Sequence, residues 1–299
     1  MKRILITGEN SYIGTSFELY TKQYYPDLAT DTVDMIDISW KKRDFSQYDT
    51  VFHVAGIAHA DVGYVDDETK AMYYAVNTDL AIETAKKAKK EGVKQFIFMS
   101  SMIIYGDSAP YGKPRIISID TEPNPANFYG DSKWQADKRI RAMADDDFNV
   151  AVIRPPMIYG KGSRGNYPML ETIARRLPVF PSVDNQRSML YIENLCEFLC
   201  QLVILGAGGV FFPQNSEYTR TSNMVKEIGE AIHRPVYLTH ILNPVIAILS
   251  KIPGKCGTLT NKAFGNMVYE KKMSVYRNIA YQKFNLRESI IRTEDKGNE

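Results

Sequence analysis

Cysteine is scarce, with three in 299 residues. Three thiols cannot build a disulfide framework, which excludes the small stapled domains of secreted chains and leads us to expect a cytoplasmic protein. An excess of one charge sign is also missing. The 37 basic residues meet 35 acidic ones for a net charge of +2, so charge gives no argument for a nucleic-acid partner. Basic residues do not interleave with aromatics in the manner that stacks bases. Long hydrophobic runs are absent too. No stretch reaches the roughly 18 apolar residues of a membrane span, so none is expected. The first apolar run passes at once into Thr7-Gly8, so no signal peptide is expected. The longest candidate, Ile241 to Ile252, is interrupted by Asn243, Pro244, Ser250 and Lys251. It reads as a helix covering the core rather than as a membrane-surface contact. Four histidines (His53, His59, His233, His240) show no zinc spacing, and no metal is expected. Cys196 and Cys200 share a helix face in an apolar run and read as core residues.

What is present is ordinary globular material, 44% hydrophobic and 24% charged. That composition excludes wholesale disorder, collagen-like and coiled-coil readings. The length suits one large domain or two modest ones. The first half alternates strand and helix. Strands are expected at Arg3–Thr7, Asp31–Ile36, Thr50–Ala55, Gln95–Ser100 and Val150–Arg154. Helices are expected at Tyr12–Tyr24, Asn77–Glu91 with Gly92 as its stop, and Tyr129–Asp145. Such alternation predicts an α/β fold, a Rossmann doubly wound parallel sheet with a smaller C-terminal substrate-binding region. Pro, Gly and Asn become frequent after Pro155. Residues 1–155 are therefore expected to form the dinucleotide-binding domain, regaining a strand from about 188–212. Residues 156–299 should be mainly substrate-binding, with a frayed tail after Thr293.

The first turn reads Gly8-Glu9-Asn10-Ser11-Tyr12-Ile13-Gly14. A strand feeding a glycine-rich turn into a helix presents backbone N–H groups and the positive helix end to a pyrophosphate. Ser11 stands where the usual fingerprint has its middle glycine, which weakens the motif. An acid near the end of the second strand would bind the adenosine ribose. Asp34 and Asp37 lie 20 and 23 residues beyond Gly14. The preferred assignment has Asp34 on the ribose and Asp37-Ile38 beside the adenine, and either acid can equally be a loop residue. An acid there repels a 2′-phosphate and favours NAD(H), while Lys41, Lys42 and Arg43 keep NADP(H) open.

Tyr129-Gly130-Asp131-Ser132-Lys133 gives Tyr-x-x-x-Lys in a helical segment, both side chains on one face a turn apart. An ammonium beside a phenol lowers its pKa from about 10, making Tyr129 a usable proton donor or acceptor. Ser101 follows a strand end 28 residues upstream, where open α/β sheets present residues to a ligand crevice. Ser101 can hydrogen-bond the same substrate oxygen. No Gly-x-Ser-x-Gly surrounds it, which excludes an acyl-transfer nucleophile.

Thr7-Gly8…Ile13-Gly14, His53-Val54-Ala55-Gly56, Asn77, Ser100-Ser101…Tyr105-Gly106, Tyr129-x-x-x-Lys133 and Arg154-Pro155-Pro156…Tyr159-Gly160 occur in that order. The chain thereby resembles an extended short-chain dehydrogenase/reductase of the nucleotide-sugar epimerase/dehydratase family, from residue 3 to about 292. The resemblance implies hydride exchange with a nicotinamide cofactor. It implies Tyr129 as acid/base, Lys133 also on the nicotinamide ribose, and Ser101 orienting the substrate oxygen. It implies that Val54, Ala55 and Gly56 line the cofactor, that Asn77 sits near the active end of its helix, and that Pro156 lies beside the nicotinamide. Arg187 matches a family arginine at the substrate diphosphate, with Asn166 as its helper.

There are departures. Galactose-type 4-epimerases of the family carry a lysine where this chain has Ala58, followed by His59. They also have Arg-Tyr-Phe-Asn where this chain has Arg154-Pro155-Pro156-Met157. The segments after Tyr159 and around Arg187 are similar to bacterial 4-ketoreductases of UDP-N-acetyl-6-deoxyhexoses. The leading expectation is therefore reduction of a UDP-linked 4-keto-hexose for surface polysaccharide synthesis. The alternatives are a UDP-hexose 4-epimerase with tightly bound NAD and a catalytically silent binding protein on the same fold. A homodimer is the expected assembly.

Overall fold

The computed structural model describes residues 1–58 and 65–295; His59 lies outside them. The first half runs β1 (Lys2–Thr7), α1 (Tyr12–Tyr24), β2 (Leu28–Val33), β3 (Thr50–His53), α2 (Asp67–Tyr74), α3 (Ala81–Lys90), β4 (Gln95–Met99), β5 (Ile116–Ile117), α4 (Phe128–Arg141) and β6 (Asn149–Ile153). The rest runs β7 (Met157–Tyr159), α5 (Asn166–Arg176), β8 (Val179–Pro181), β9 (Met189–Tyr191), α6 (Ile192–Leu205) and β10 (Gly209–Phe211). It ends with α7 (Thr221–Ala231), β11 (Tyr237–Thr239), α8 (Asn243–Leu249), α9 (Lys255–Phe264), β12 (Val268–Tyr269) and α10 (Leu286–Glu294).

Six parallel strands form one sheet in the order β10-β6-β4-β3-β1-β2. All five residues of β4 (Gln-Phe-Ile-Phe-Met) are buried, as a central strand covered on both faces requires. One face carries α1 and α6, the latter burying Leu195, Cys196, Phe198, Leu199, Cys200 and Leu202. The other face carries α3 and α4 through Ala81, Ala85, Ala88, Ala136 and Ile140. This is the doubly wound α/β arrangement. Between β1 and β3 the chain reverses direction across the sheet, having first stepped outward to β2, and such a switch point opens a crevice at the strands' C-terminal ends. Three two-stranded parallel pairs, β5–β12, β7–β9 and β8–β11, lie beyond the sheet.

Several boundaries differ from expectation. β2 begins at Leu28, three residues before the expected Asp31, because Leu28 is its one buried anchor and the rest, Ala-Thr-Asp-Thr-Val, shows no clear alternation. The helix expected from Asn77 starts ten residues earlier at Asp67, capped by Asp66. A π-helical turn, Ala75–Leu80, joins α2 to α3 and holds Asn77 at its middle. The tail expected to fray after Thr293 is helical through Glu294, whose carboxylate accepts the Tyr167 hydroxyl at 2.7 Å; residues 296–299 lie outside those described. The segment expected to cover the core does so only in part: no residue of α8 is fully buried, Ile246 packs against the core from one side, and Val245 and Ile248 are exposed on the other.

Candidate functional site

The glycine turn is built by contact as much as by conformation. Gly8 has φ +109°, and a Cβ there would meet the Ala55 backbone nitrogen at 2.8 Å. The turn after β1 thus lies against the end of β3, where the Val54 and Ala55 N–H groups both donate to the Thr7 carbonyl (3.1 and 2.9 Å). Ser11 is the N-cap of α1, its Oγ accepting from the Gly14 N–H at 3.2 Å. The Tyr12 side chain turns away from the crevice. Its hydroxyl is buried near Gly160 and Ser163, and burial pushes its pKa up. Tyr12 and Ile13 form the first turn of α1, and both side chains pack against the core.

Asp34 follows β2 directly and is exposed, its carboxylate closing a turn on the Ile36 N–H at 2.9 Å. Asp37 caps the short 3₁₀ turn Ile38–Lys42. Beside them lies a shallow hollow of about 290 Å³, lined by Ile36, Ile38, Trp40, Ala75, Val76 and Leu80 with Lys41, Asp79 and Glu83 at its edge. Ile36 and Ile38 are largely exposed, which leaves an apolar lip at the end of the second strand. Of the basic residues nearby, Lys41 pairs with Glu83, and Arg43 donates to the Tyr48 hydroxyl at 2.6 Å.

Four elements converge at the ends of β3 and β4. Asn127 caps α4, with its side chain accepting from the Gly130 N–H at 3.0 Å. Tyr129 follows in the first turn of that helix, its ring edge-on to Tyr73 of α2 at 5.9 Å. Ser101 caps the 3₁₀ turn Met102–Tyr105 after β4, its Oγ accepting from the Ile103 N–H at 3.3 Å, and its hydroxyl lies close enough to the Tyr129 phenol to lower its pKa. Lys133 is buried, donating to the Met99 carbonyl at 3.1 Å. A Cβ on Gly56 would meet both Lys133 Nζ and Asn77 Oδ1 at 3.0 Å, so glycine is what lets these groups close around the strand end. Asn77, fully buried in its π turn, exchanges two hydrogen bonds with the Ile57 backbone (2.9 and 3.0 Å) and donates to Ser132 Oγ at 3.2 Å. It sits mid-helix rather than at a helix end, and it fastens the loop after β3 to α4. Pro156 is buried where the chain leaves β6 for β7.

The electrostatics correct one expectation. Burial pushes Tyr129 up to about 12 and the nearby Tyr73 phenol adds to this, while the Ser101 hydrogen bond acts the other way. Lys133 does not bring it below its ordinary value. The lysine reaches past the phenol to a strand-end carbonyl, and burial lowers its own pKa to about 8. The helical spacing holds, but desolvation outweighs the pairing.

Behind this cluster is a buried ion pair that spacing does not reveal. Asp137, one turn beyond Lys133, takes Arg154 Nε and Nη2 at 2.9 and 2.8 Å and Ser100 Oγ at 2.9 Å. Arg154 also donates to the Tyr105 hydroxyl at 2.7 Å. The available sign was the i, i+4, i+8 series Tyr129, Lys133, Asp137 on one helix face. Its arginine partner lies 17 residues away on another element.

The expected substrate residues lie apart from one another. Asn166 opens α5, with its amide near the Met157 sulfur at 3.8 Å. Arg187 sits on an extended segment bridged to Thr219 and Met267. Its guanidinium donates to the Lys262 carbonyl in the last turn of α9 at 2.7 Å, and burial lowers its pKa. Among the described residues no carboxylate lies within ion-pair distance of it. No group of His, Cys, Asp and Glu among the described residues is placed to hold a metal.

Comparison with known proteins follows from this geometry. The family model described as "NAD dependent epimerase/dehydratase family" matches residues 4–208. A UDP-glucose 4-epimerase of Vibrio cholerae is 29% identical over 280 residues, 85% of this chain and 83% of that protein. An N-acetyl-α-D-glucosaminyl-diphospho-ditrans,octacis-undecaprenol 4-epimerase of Escherichia coli O157:H7 is 27% identical over 280 residues, 84% of this chain and 81% of that one. The solved UDP-N-acetylglucosamine 4-epimerase of Bacillus cereus superposes with a TM-score of 0.72 at 12% identity, covering 98% of both chains, a likeness of fold.

Proposed function

The chain belongs to the NAD dependent epimerase/dehydratase family, and from that premise we propose that it is a 4-epimerase of a hexose carried on a diphosphate. It is an enzyme, and its cofactor is a nicotinamide dinucleotide. The residues present fit that cofactor. Gly8 lets the turn after β1 lie against Ala55, Gly56 lets Lys133 and Asn77 close on the strand end, and the hollow beside Ile36 and Ile38 suits an adenine. The turn Gly8–Gly14 would hold the pyrophosphate, Asp34 the adenosine ribose, Asp37 and Ile38 the adenine, and Val54, Ala55 and Pro156 the remaining walls. An acid at Asp34 repels a 2′-phosphate and favours NAD(H) over NADP(H); of the nearby cations Lys41 pairs with Glu83 and Arg43 with the Tyr48 hydroxyl, while Lys42 is exposed.

When bound, the dinucleotide supplies hydride exchange at C4. Tyr129 moves the proton at the C4 oxygen, Ser101 orients that oxygen, and Lys133 holds the nicotinamide ribose beside Asn77. The observation that carries the reading is the convergence of Ser101, Tyr129, Lys133, Asn77 and Gly56 at the ends of β3 and β4. Residues 156–295 supply most of the substrate contacts, with Arg187 and Asn166 on the diphosphate side. A half-buried guanidinium with no acid partner among the described residues is suited to an anionic ligand. Both curated relatives are named as 4-epimerases of diphosphate-linked sugars, and this supports epimerisation over simple reduction.

One observation favours reduction of a 4-keto sugar instead. Ala58 and Met157 stand where galactose-type 4-epimerases of the family carry a lysine and an asparagine. The deciding experiment incubates the purified chain with UDP-hexoses and with a polyprenyl-diphosphate hexose without added cofactor, and in a separate arm with a UDP-linked 4-keto-hexose and NADH. Epimerisation gives the C4 epimer with no net change in reduced-nicotinamide absorbance. Stoichiometric use of added NADH with a 4-keto sugar alone would replace it by reduction. The arm that reacts identifies the carrier. Arg187→Ala is expected to weaken the diphosphate substrate roughly a hundredfold and leave NAD(H) within a few-fold; equal loss of both would make Arg187 structural.

A further inference from the structure

We propose that the outer face of α8 and α9 is a docking surface for an anionic lipid bilayer. The inference is independent of the catalytic reading. It begins with α8, in which no residue is buried, and with α9, in which only Gly257 and Phe264 are. Ile241, Val245, Ile248 and Ile252 follow one another at i, i+4, i+7 and i+11, the spacing of one helical stripe. All four are exposed, Ile241 at 84% and Ile248 at 65%, and Leu259 of α9 is exposed beside them at 61%. Tyr237, with an apolar ring and a polar tip, is exposed at 69% just ahead of the stripe.

Charge names the partner. From Ala231 to Tyr269, 39 residues, there is no Asp or Glu, while Arg234, Lys251, Lys255 and Lys262 are present. The whole chain carries only +2, so this is a local departure from a balanced surface. The three lysines are exposed. An apolar stripe edged by lysines without acids matches the headgroup boundary of an anionic membrane, where aliphatic side chains enter the acyl region and lysines meet lipid phosphates. A soluble partner with an acidic, apolar face is the competing occupant and becomes an outcome of the test.

The platform is held rigidly enough to act as a unit. Asn243 donates to the Ser182 carbonyl at 2.8 Å, and Asn261 donates to the Ser250 carbonyl at 2.9 Å while accepting the Tyr111 N–H at 2.8 Å. Docking is peripheral, because among the described residues no helix is long and apolar enough to cross a membrane.

The test is co-sedimentation of the full chain with phosphatidylglycerol/phosphatidylcholine vesicles and with pure phosphatidylcholine vesicles. Wild type is expected to partition at least about tenfold more strongly to the anionic vesicles, and to be released in about 1 M salt, where charge attraction is screened within roughly 3 Å. Lys251→Gln with Lys255→Gln should weaken binding by about fivefold per lysine. Val245→Ser with Ile248→Ser should reduce binding by about tenfold or more, with an unchanged melting temperature. The lysine pair keeps the idea testable if the serine pair fails to fold. Absence of wild-type sedimentation, equal binding to neutral vesicles, or binding untouched by both variant pairs would each overturn the proposal. So would light scattering that shows a dimer in wild type and a monomer in the serine pair, since a second copy would then own this face.

Discussion

The strand-end cluster around α4 and the α8–α9 platform invert the usual distribution in opposite senses. Around α4, polar groups are buried and partnered: Asn77, Ser132, Lys133, Asp137 and Arg154 lie inside, each hydrogen-bonded. On the platform, aliphatic groups are exposed along a stripe. Both arrangements cost stability unless something compensates. In the cluster the compensation is internal, because Asp137 and Arg154 neutralise one another and the lysine has a carbonyl. On the platform none of the described residues covers the aliphatic stripe. Departures from polar-out and apolar-in mark the places where a chain answers to another molecule. The two regions differ in whether that answer is built inward or left facing outward.

The comparison breaks most sharply at Tyr129. Tyr129→Phe keeps the ring and deletes the ionisable proton, so turnover should fall by about a hundredfold to ten-thousandfold with folding intact. Steady-state rates beside a thermal melt would measure both; turnover within a few-fold of wild type would remove Tyr129 from the acid/base role. Vesicle binding by this variant should stay at the wild-type level, since the phenol lies in the other region.

Next in size is a pair of core and surface truncations. Leu199 of α6 is fully buried, and Val245 of α8 is half exposed. Leu199→Ala is expected to lower unfolding stability by about 2–5 kcal/mol, and Val245→Ser to change it by no more than about 0.5 kcal/mol. Urea midpoints measure both. A loss of several kcal/mol at Val245 would mean that the platform face is covered in solution.

The smallest effect is a pH dependence confined to the buried region. His53 hydrogen-bonds Thr7 Oγ1 at 2.7 Å, and burial, reinforced by the Lys133 charge, lowers its pKa from 6.5 to about 3. The folded chain therefore keeps His53 neutral where the unfolded chain takes up a proton. Stability from this group is complete above about pH 6.5 and is lost progressively as pH falls toward 3. His53→Gln should flatten that slope in denaturation curves between those limits. A slope unaltered by the substitution would show that His53 is protonated in the folded state.

Much of this was legible before any coordinates. The strand–turn–helix opening at Gly8–Gly14 and the Tyr129–Lys133 pair are local patterns, and the site forms around them. The second strand was misplaced by three residues, because Ala-Thr-Asp-Thr-Val carries no strong hydrophobic period. The start of the third helical element was missed, because Asp-Glu-Thr-Lys is polar and a π turn interrupts the 3.6-residue period before Ala81. The Asp137–Arg154 pair was invisible because its members come from a helix and a strand end brought together only by folding.

By itself the sequence determined what short-range geometry controls: a glycine turn leading from the first strand into a helix, and a tyrosine and lysine one helical turn apart. Side-chain spacing within a helix and the room a missing Cβ leaves are properties of the covalent chain, so they survive any packing. Only the tertiary structure decided the protonation preferences and the exposed stripe. Tyr129 is held near 12 despite the lysine one turn away, because neighbours distant in the chain remove it from water. Ile241–Ile252 reads as a helix covering the core, yet only Ile246 packs there, while Ile241, Val245, Ile248 and Ile252 stay exposed, because burial needs a facing surface and the described residues offer one to a single side of α8. Apolar content says that a segment gains by leaving water, and the arrangement of the other elements decides whether the chain itself provides the place.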